Sequence, residues 1–107
     1  MRRIWPLFLM VLSTAAVSTA QDSAAGAKVF ADQKCSLCHS IGGKGNTKGP
    51  LDAVGSKLSA ADIRAWVEDA AGMTTKTSAT RKPAMKSYSL PKSDVDNLVA
   101  YLSTLKK

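Results

Sequence analysis

Cys35-Ser36-Leu37-Cys38-His39 holds the chain's only two cysteines and its only histidine within five positions. Whatever fold forms has to be organised around the task of this segment. A structural zinc site needs four ligands of sulfur, nitrogen or carboxylate type, and the remaining sequence supplies no further Cys or His. A disulfide across two intervening residues closes a very short loop and adds little stability. A thioredoxin-like redox pair calls for a strand-helix-strand setting, and the sequence carries no convincing strand pattern.

Cys-x-x-Cys-His is also the sequence sign of covalent attachment of a c-type haem. If the segment from Lys28 to His39 is helical, positions 35, 38 and 39 stand as i, i+3 and i+4 and share one face of one turn. Two sulfurs on that face can reach the two vinyl groups on one edge of the macrocycle, and the His39 imidazole then points at the iron from the same side. Two thioethers tether the ring and one nitrogen ligates the metal.

Compartment and size support the same expectation. Arg2 and Arg3 precede the apolar run from Ile4 to Leu12, broken only by Pro6, and Ser18-Thr19-Ala20 offers small residues at a cleavage point. This pattern is read as a secretory signal peptide over residues 1–20, cut after Ala20. An uncleaved anchor is the alternative, but Ser13, Thr14, Ser18 and Thr19 weaken the stretch as a spanning helix. The domain then covers residues 21–107, 87 residues with 13 basic and 8 acidic groups, a formal +5. Such a chain buries a modest core and is marginal alone. Its large aromatics are few: Phe30, Trp66, Tyr88 and Tyr101. A haem in its centre supplies missing apolar volume.

The second axial position must come from another residue type, because no second histidine exists. Of the four methionines, Met1 and Met10 leave with the leader, which leaves Met73 and Met85. Met85 lies in TRKPAMKSYSLP, a polar stretch stiffened by Pro83 and long enough to wrap over a ring. It is taken as the sixth ligand, with Met73 as the alternative. A thioether is soft, favours ferrous iron and raises the reduction potential relative to two imidazoles.

The remaining pattern is helical. Ser23 is expected to cap a first helix running to about His39. Four glycines between Ile41 and Pro50 mark a loop. Ser59 and Asp62 form a capping-box-like start to a second helix, with Ile63, Trp66, Val67 and Ala70 as its apolar stripe and Gly72 as its stop. Ser93 is expected to cap the last helix, lined by Val95, Leu98, Leu102 and Leu105 with Tyr101 beside them. Asp94 and Asp96 suit its N-terminus, and Lys106 and Lys107 its C-terminus.

Over the whole chain after the leader, the sequence resembles a class I, monohaem cytochrome c of the small secreted bacterial type. Cys35, Cys38 and His39 match the attachment motif, Gly26 and Phe30 the first-helix pair, and Leu98 and Tyr101 the last-helix positions that pack against it. The resemblance implies an all-α, cytochrome c-like fold with helices wrapped around one covalently bound haem c. It implies that the Pro50 carbonyl, within Gly49-Pro50-Leu51, accepts the Nδ1–H of His39, and that Met85 is the axial methionine.

The function expected is that of a soluble periplasmic electron carrier with His39 and Met85 as axial ligands, and not of an enzyme. Lys34, Lys44, Lys48, Lys82 and Lys86 are placed to steer acidic redox proteins or membrane oxidoreductase complexes. Nucleic-acid binding and stable membrane insertion are not expected, and a monomer is. Two alternatives stand beside this: a haem protein binding carbon monoxide, nitric oxide or peroxide, and a cytochrome subunit of a larger oxidoreductase.

Overall fold

The structure, a computed structural model, describes residues 22–107. The leader expected over residues 1–20 lies outside the described residues. Five α-helices, one 3₁₀ turn and one miniature hairpin make up the regular structure of that span: α1 (Ser23–Asp32), the 3₁₀ turn (Cys35–Leu37), β1 (Ser40–Ile41), β2 (Lys44–Gly45), α2 (Val54–Lys57), α3 (Ala60–Glu68), α4 (Ala70–Thr77) and α5 (Lys92–Ser103). The expectation of helices joined by loops holds, and the local departures have identifiable causes.

The first helix is capped one residue earlier than expected. The Asp22 carboxylate accepts from the backbone N–H of Ala24 at 2.9 Å and of Ala25 at 3.2 Å, so Ser23 is already helical. It also stops well before His39. Lys34 takes a left-handed conformation, φ 56°, which breaks the α-helix ahead of a 3₁₀ turn at Cys35–Leu37. The glycine loop that follows folds on itself. Gly42 and Gly43, with φ 59° and 78°, occupy the two central positions of a tight turn that pairs β1 with β2 in antiparallel register.

The second expected helix is really two. Ser59 caps α3 as read, its hydroxyl accepting from the Asp62 N–H at 3.1 Å. The chain then turns at Asp69 (φ −139°, ψ 60°), whose carboxylate accepts from the Gly72 N–H at 3.1 Å and starts α4. Gly72 therefore lies inside a helix rather than ending one. The last helix begins at Lys92, before Ser93: Pro91 has the preset φ of a helix entry, and its carbonyl accepts from the N–H of Asp94 and of Val95.

Val29 and Phe30 of α1, Ile63 and Val67 of α3, and Val95, Leu98, Val99 and Leu102 of α5 form one buried cluster. The crossing of α1 and α5 is set by Gly26. A β-carbon there would overlap the Asn97 carbonyl and lie 2.6 Å from Cβ of Tyr101. Phe30 meets Tyr101 edge-on beside it, with ring centroids 6.2 Å apart and planes at 65°. The helix pair inferred from resemblance is thus in contact. Gly26→Ala is expected to lower stability by about 1–3 kcal/mol through forced separation of the helices, read as the midpoint of denaturant unfolding. A midpoint equal to wild type would show that the crossing is not tight.

An ion-pair group joins α3 to α5 on the outside. Asp96 accepts from Arg64 of α3 and from Lys92 at 2.7 Å, while Arg64 also approaches Glu68 at 3.4 Å. No helix among the described residues is long and apolar enough to cross a membrane.

Candidate functional site

The short 3₁₀ turn after Lys34 keeps Cys35, Cys38 and His39 together despite the loss of the expected α-helix. The Cys35 carbonyl accepts from the N–H of Cys38 at 3.1 Å and from that of His39 at 3.0 Å, so the motif occupies one turn. Cys35 is half-buried and Cys38 exposed, and the two are not joined by a disulfide. Burial pushes the Cys35 thiol up from its ordinary pKa, and it does the same to the nearby Tyr88 phenol.

His39 is half-buried and has a fixed orientation. Its Nδ1–H donates to the Gly49 carbonyl at 3.1 Å, which leaves the Nε2 lone pair free for a metal. Burial, the largest influence, lowers its pKa; the Gly49 hydrogen bond opposes this and Arg81 reinforces it. The net shift favours the neutral form that ligates. The resemblance placed the acceptor at Pro50, and the structure corrects it to Gly49. Ser40 and Pro50 form an isolated parallel bridge. Within it the Ser40 N–H donates to Gly49 at 3.0 Å and the Leu51 N–H donates to Ser40 at 2.9 Å. That pairing turns the Gly49 carbonyl toward residues 39 and 40. Pro50 is exposed and lies outside the cavity wall, which is continued by Leu51.

These side chains open on one large cavity, with about 1120 Å³ of atom-free space that is partly continuous with solvent. Cys35, Cys38, His39 and Met85 all line it. Most of the remaining wall is apolar, from Phe30, Leu51, Val54 and Leu58 through Ile63, Trp66 and Val67 to Leu98 and Leu102. Trp66, a member of the apolar stripe of α3, is part of that wall. Met73 is 8 % exposed, packed in α4, and does not line the cavity.

Met85 is carried by the irregular segment between α4 and α5, which is fastened on both sides of it. Upstream, the Ala79 N–H donates to Thr74 at 3.1 Å and the Arg81 guanidinium donates to the Cys38 carbonyl at 2.5 Å. Downstream, the Ser87 hydroxyl accepts from the Ala70 N–H at 2.9 Å and the Tyr88 N–H donates to Val67 at 2.8 Å. Arg81 also lines the cavity. Sequence reasoning passed over it, because the bond joins residues 43 positions apart and leaves no local pattern.

The donor set comprises two thiols, a neutral imidazole and a thioether on one largely apolar cavity. It fits a haem c held through Cys35 and Cys38 with His39 and Met85 at the iron. The family model described as Cytochrome c matches residues 23–106. No curated protein and no solved structure gives a match.

Proposed function

The chain belongs to the cytochrome c family, and from that membership we propose that it is a monohaem electron carrier exported to the periplasm. The family implies a covalently bound haem c and haem-based electron transfer. The observation that carries the finer reading is the convergence of Cys35, Cys38, His39 and Met85 on a single cavity. When bound, the haem supplies an iron that takes up or gives up one electron between Fe(III) and Fe(II).

The chain's own residues do the rest. Cys35 and Cys38 tether the group, so it is not lost to the surroundings. His39, aimed by Gly49, offers Nε2, and Met85 offers its sulfur. With His39 and Met85 both holding the iron, no coordination site would be left for substrate, which is why the reading is a carrier and not an enzyme. The apolar wall excludes water and limits reorganisation around a changing charge.

Lys34, Lys44, Lys48, Lys82 and Lys86 are all exposed. Lys34 directly precedes the attachment turn, and Lys82 and Lys86 share the Met85 segment. With a formal +5 over residues 21–107, they support docking of a monomeric carrier to acidic redox proteins or membrane oxidoreductase complexes rather than to nucleic acid. Association rates should fall steeply with salt.

The test is optical. Reduced protein under carbon monoxide is expected to keep its spectrum, and ferric protein is expected to be low-spin with a methionine-sulfur-to-iron band. A carbon monoxide shift with a high-spin, five-coordinate ferric form would replace the carrier with a haem protein that binds small ligands. Co-purification in a stable complex would instead indicate a subunit of a larger oxidoreductase.

A further inference from the structure

The His39 side of the cavity and the Met85 side are joined by one side chain. Arg81 Nη2 donates to the carbonyl of Cys38, the residue next to His39. The same guanidinium fills the space that a side chain at position 49 would need: a β-carbon on Gly49 would lie 2.8 Å from Arg81 Cζ and would also overlap the Cys38 carbonyl. The Gly49 carbonyl, in turn, orients His39 at 3.1 Å. Guanidinium, Cys38 carbonyl, Gly49 backbone and imidazole thus form one contiguous cluster, and Met85 lies four residues along the chain from its centre.

Between Arg81 and Ser87 the chain has little else to hold it. Lys82, Pro83, Ala84 and Lys86 are exposed. Among the described residues, no hydrogen bond joins positions 82–86 to any other part of the chain; Lys86 lies over the Tyr88 ring at 4.9 Å, a contact within the same segment. Arg81 is consequently the last fixed point before Met85.

We propose that Arg81 is a positioning residue for Met85, clamping the methionine segment to the Cys38–Gly49 backbone so that both axial side chains are set from one rigid cluster. The proposal rests on the reading of His39 and Met85 as the axial pair. A guanidinium suits this task because one nitrogen of its planar fork can donate to the Cys38 carbonyl while the rest of the fork occupies the space beside Gly49. Glycine at 49 suits it because any side chain would expel the guanidinium.

The clamp is tested by displacing the methionine. Ferric holoprotein is titrated with imidazole while the methionine-iron band is followed, for wild type, Arg81→Ala, Lys76→Ala and Met85→Ala. Arg81→Ala is expected to bind imidazole about tenfold more tightly, on the order of what one charge-assisted hydrogen bond contributes. Lys76→Ala removes the same charge from the exposed last turn of α4 and is expected to stay within twofold of wild type. If Arg81→Ala also stays within twofold, or if both variants shift equally, the clamp is refuted. Should the alanine variant fail to mature, Arg81→Met keeps the aliphatic stem without the donor and carries the same expectation. Met85→Ala separates this outcome from failure of the ligand reading. If that variant keeps the band, Met85 is not the axial residue; if it loses the band while Arg81→Ala is unchanged, only the clamp is wrong.

Discussion

Met85→Ala is expected to abolish the methionine-iron band of the ferric protein and lower the reduction potential, whereas Met73→Ala should leave both unchanged. The two methionines differ in surroundings. Met85 is half-buried and lines the cavity shared with His39; Met73 is 8 % exposed and packed within α4, outside the cavity wall. A thioether stabilises Fe(II) relative to Fe(III), so its removal makes the iron harder to reduce. Its loss also leaves a position that water or an added ligand can take. Reduced Met85→Ala should therefore bind carbon monoxide where wild type does not. Met73→Ala should cost stability instead, about 2–5 kcal/mol as for other buried methionine truncations. Visible spectra and potentiometry on the two variants decide the matter. A band that survives Met85→Ala and vanishes in Met73→Ala would reverse the assignment.

What the sequence could reveal followed the range of the interactions involved. The attachment motif, the Ser59 cap and the stripe of Ile63 and Val67 depend on neighbours a few residues apart, and they stand where local pattern puts them. The crossing of Gly26 with Tyr101 is long-range, and it was legible only through resemblance to a family. The break at Asp69 was missed because the stripe continues through Ala70 while Gly72 suggested a stop. The deciding event is a carboxylate that finds the Gly72 N–H three residues on. The left-handed Lys34 was missed because no glycine or asparagine announces it. Gly49 in place of Pro50 reflects a bridge between Ser40 and Pro50, and Arg81 a bond to Cys38; neither partner is near in sequence. The parts of the site that aim its side chains are thus the parts made by distant backbone.

The chain without its haem is expected to lose its cooperative unfolding transition. The reason lies in how the core is distributed. Phe30, Ile63, Val67, Leu98 and Leu102 belong to the buried helix cluster and also line the cavity. The core and the site wall are therefore one surface, and whatever occupies the cavity packs directly against the core. Domains of this size hold only about 5–15 kcal/mol in total, and a largely apolar cavity that opens to solvent withholds from the core the burial that much of this margin would come from. Water entering it would solvate the same leucines and valines that hold α1, α3 and α5 together. The Met85 segment depends on the filled cavity as well, having only its two sets of end fastenings. A Cys35→Ala/Cys38→Ala variant, which cannot tether the group, is expected to show weak helical circular dichroism and a broad, non-cooperative response to heat and denaturant. The holoprotein is expected to unfold in one sharp step. A double variant that is free of haem and still melts cooperatively with native-like helicity would mean that the helices hold themselves, and that the cavity is a pre-formed receptacle rather than half of the core.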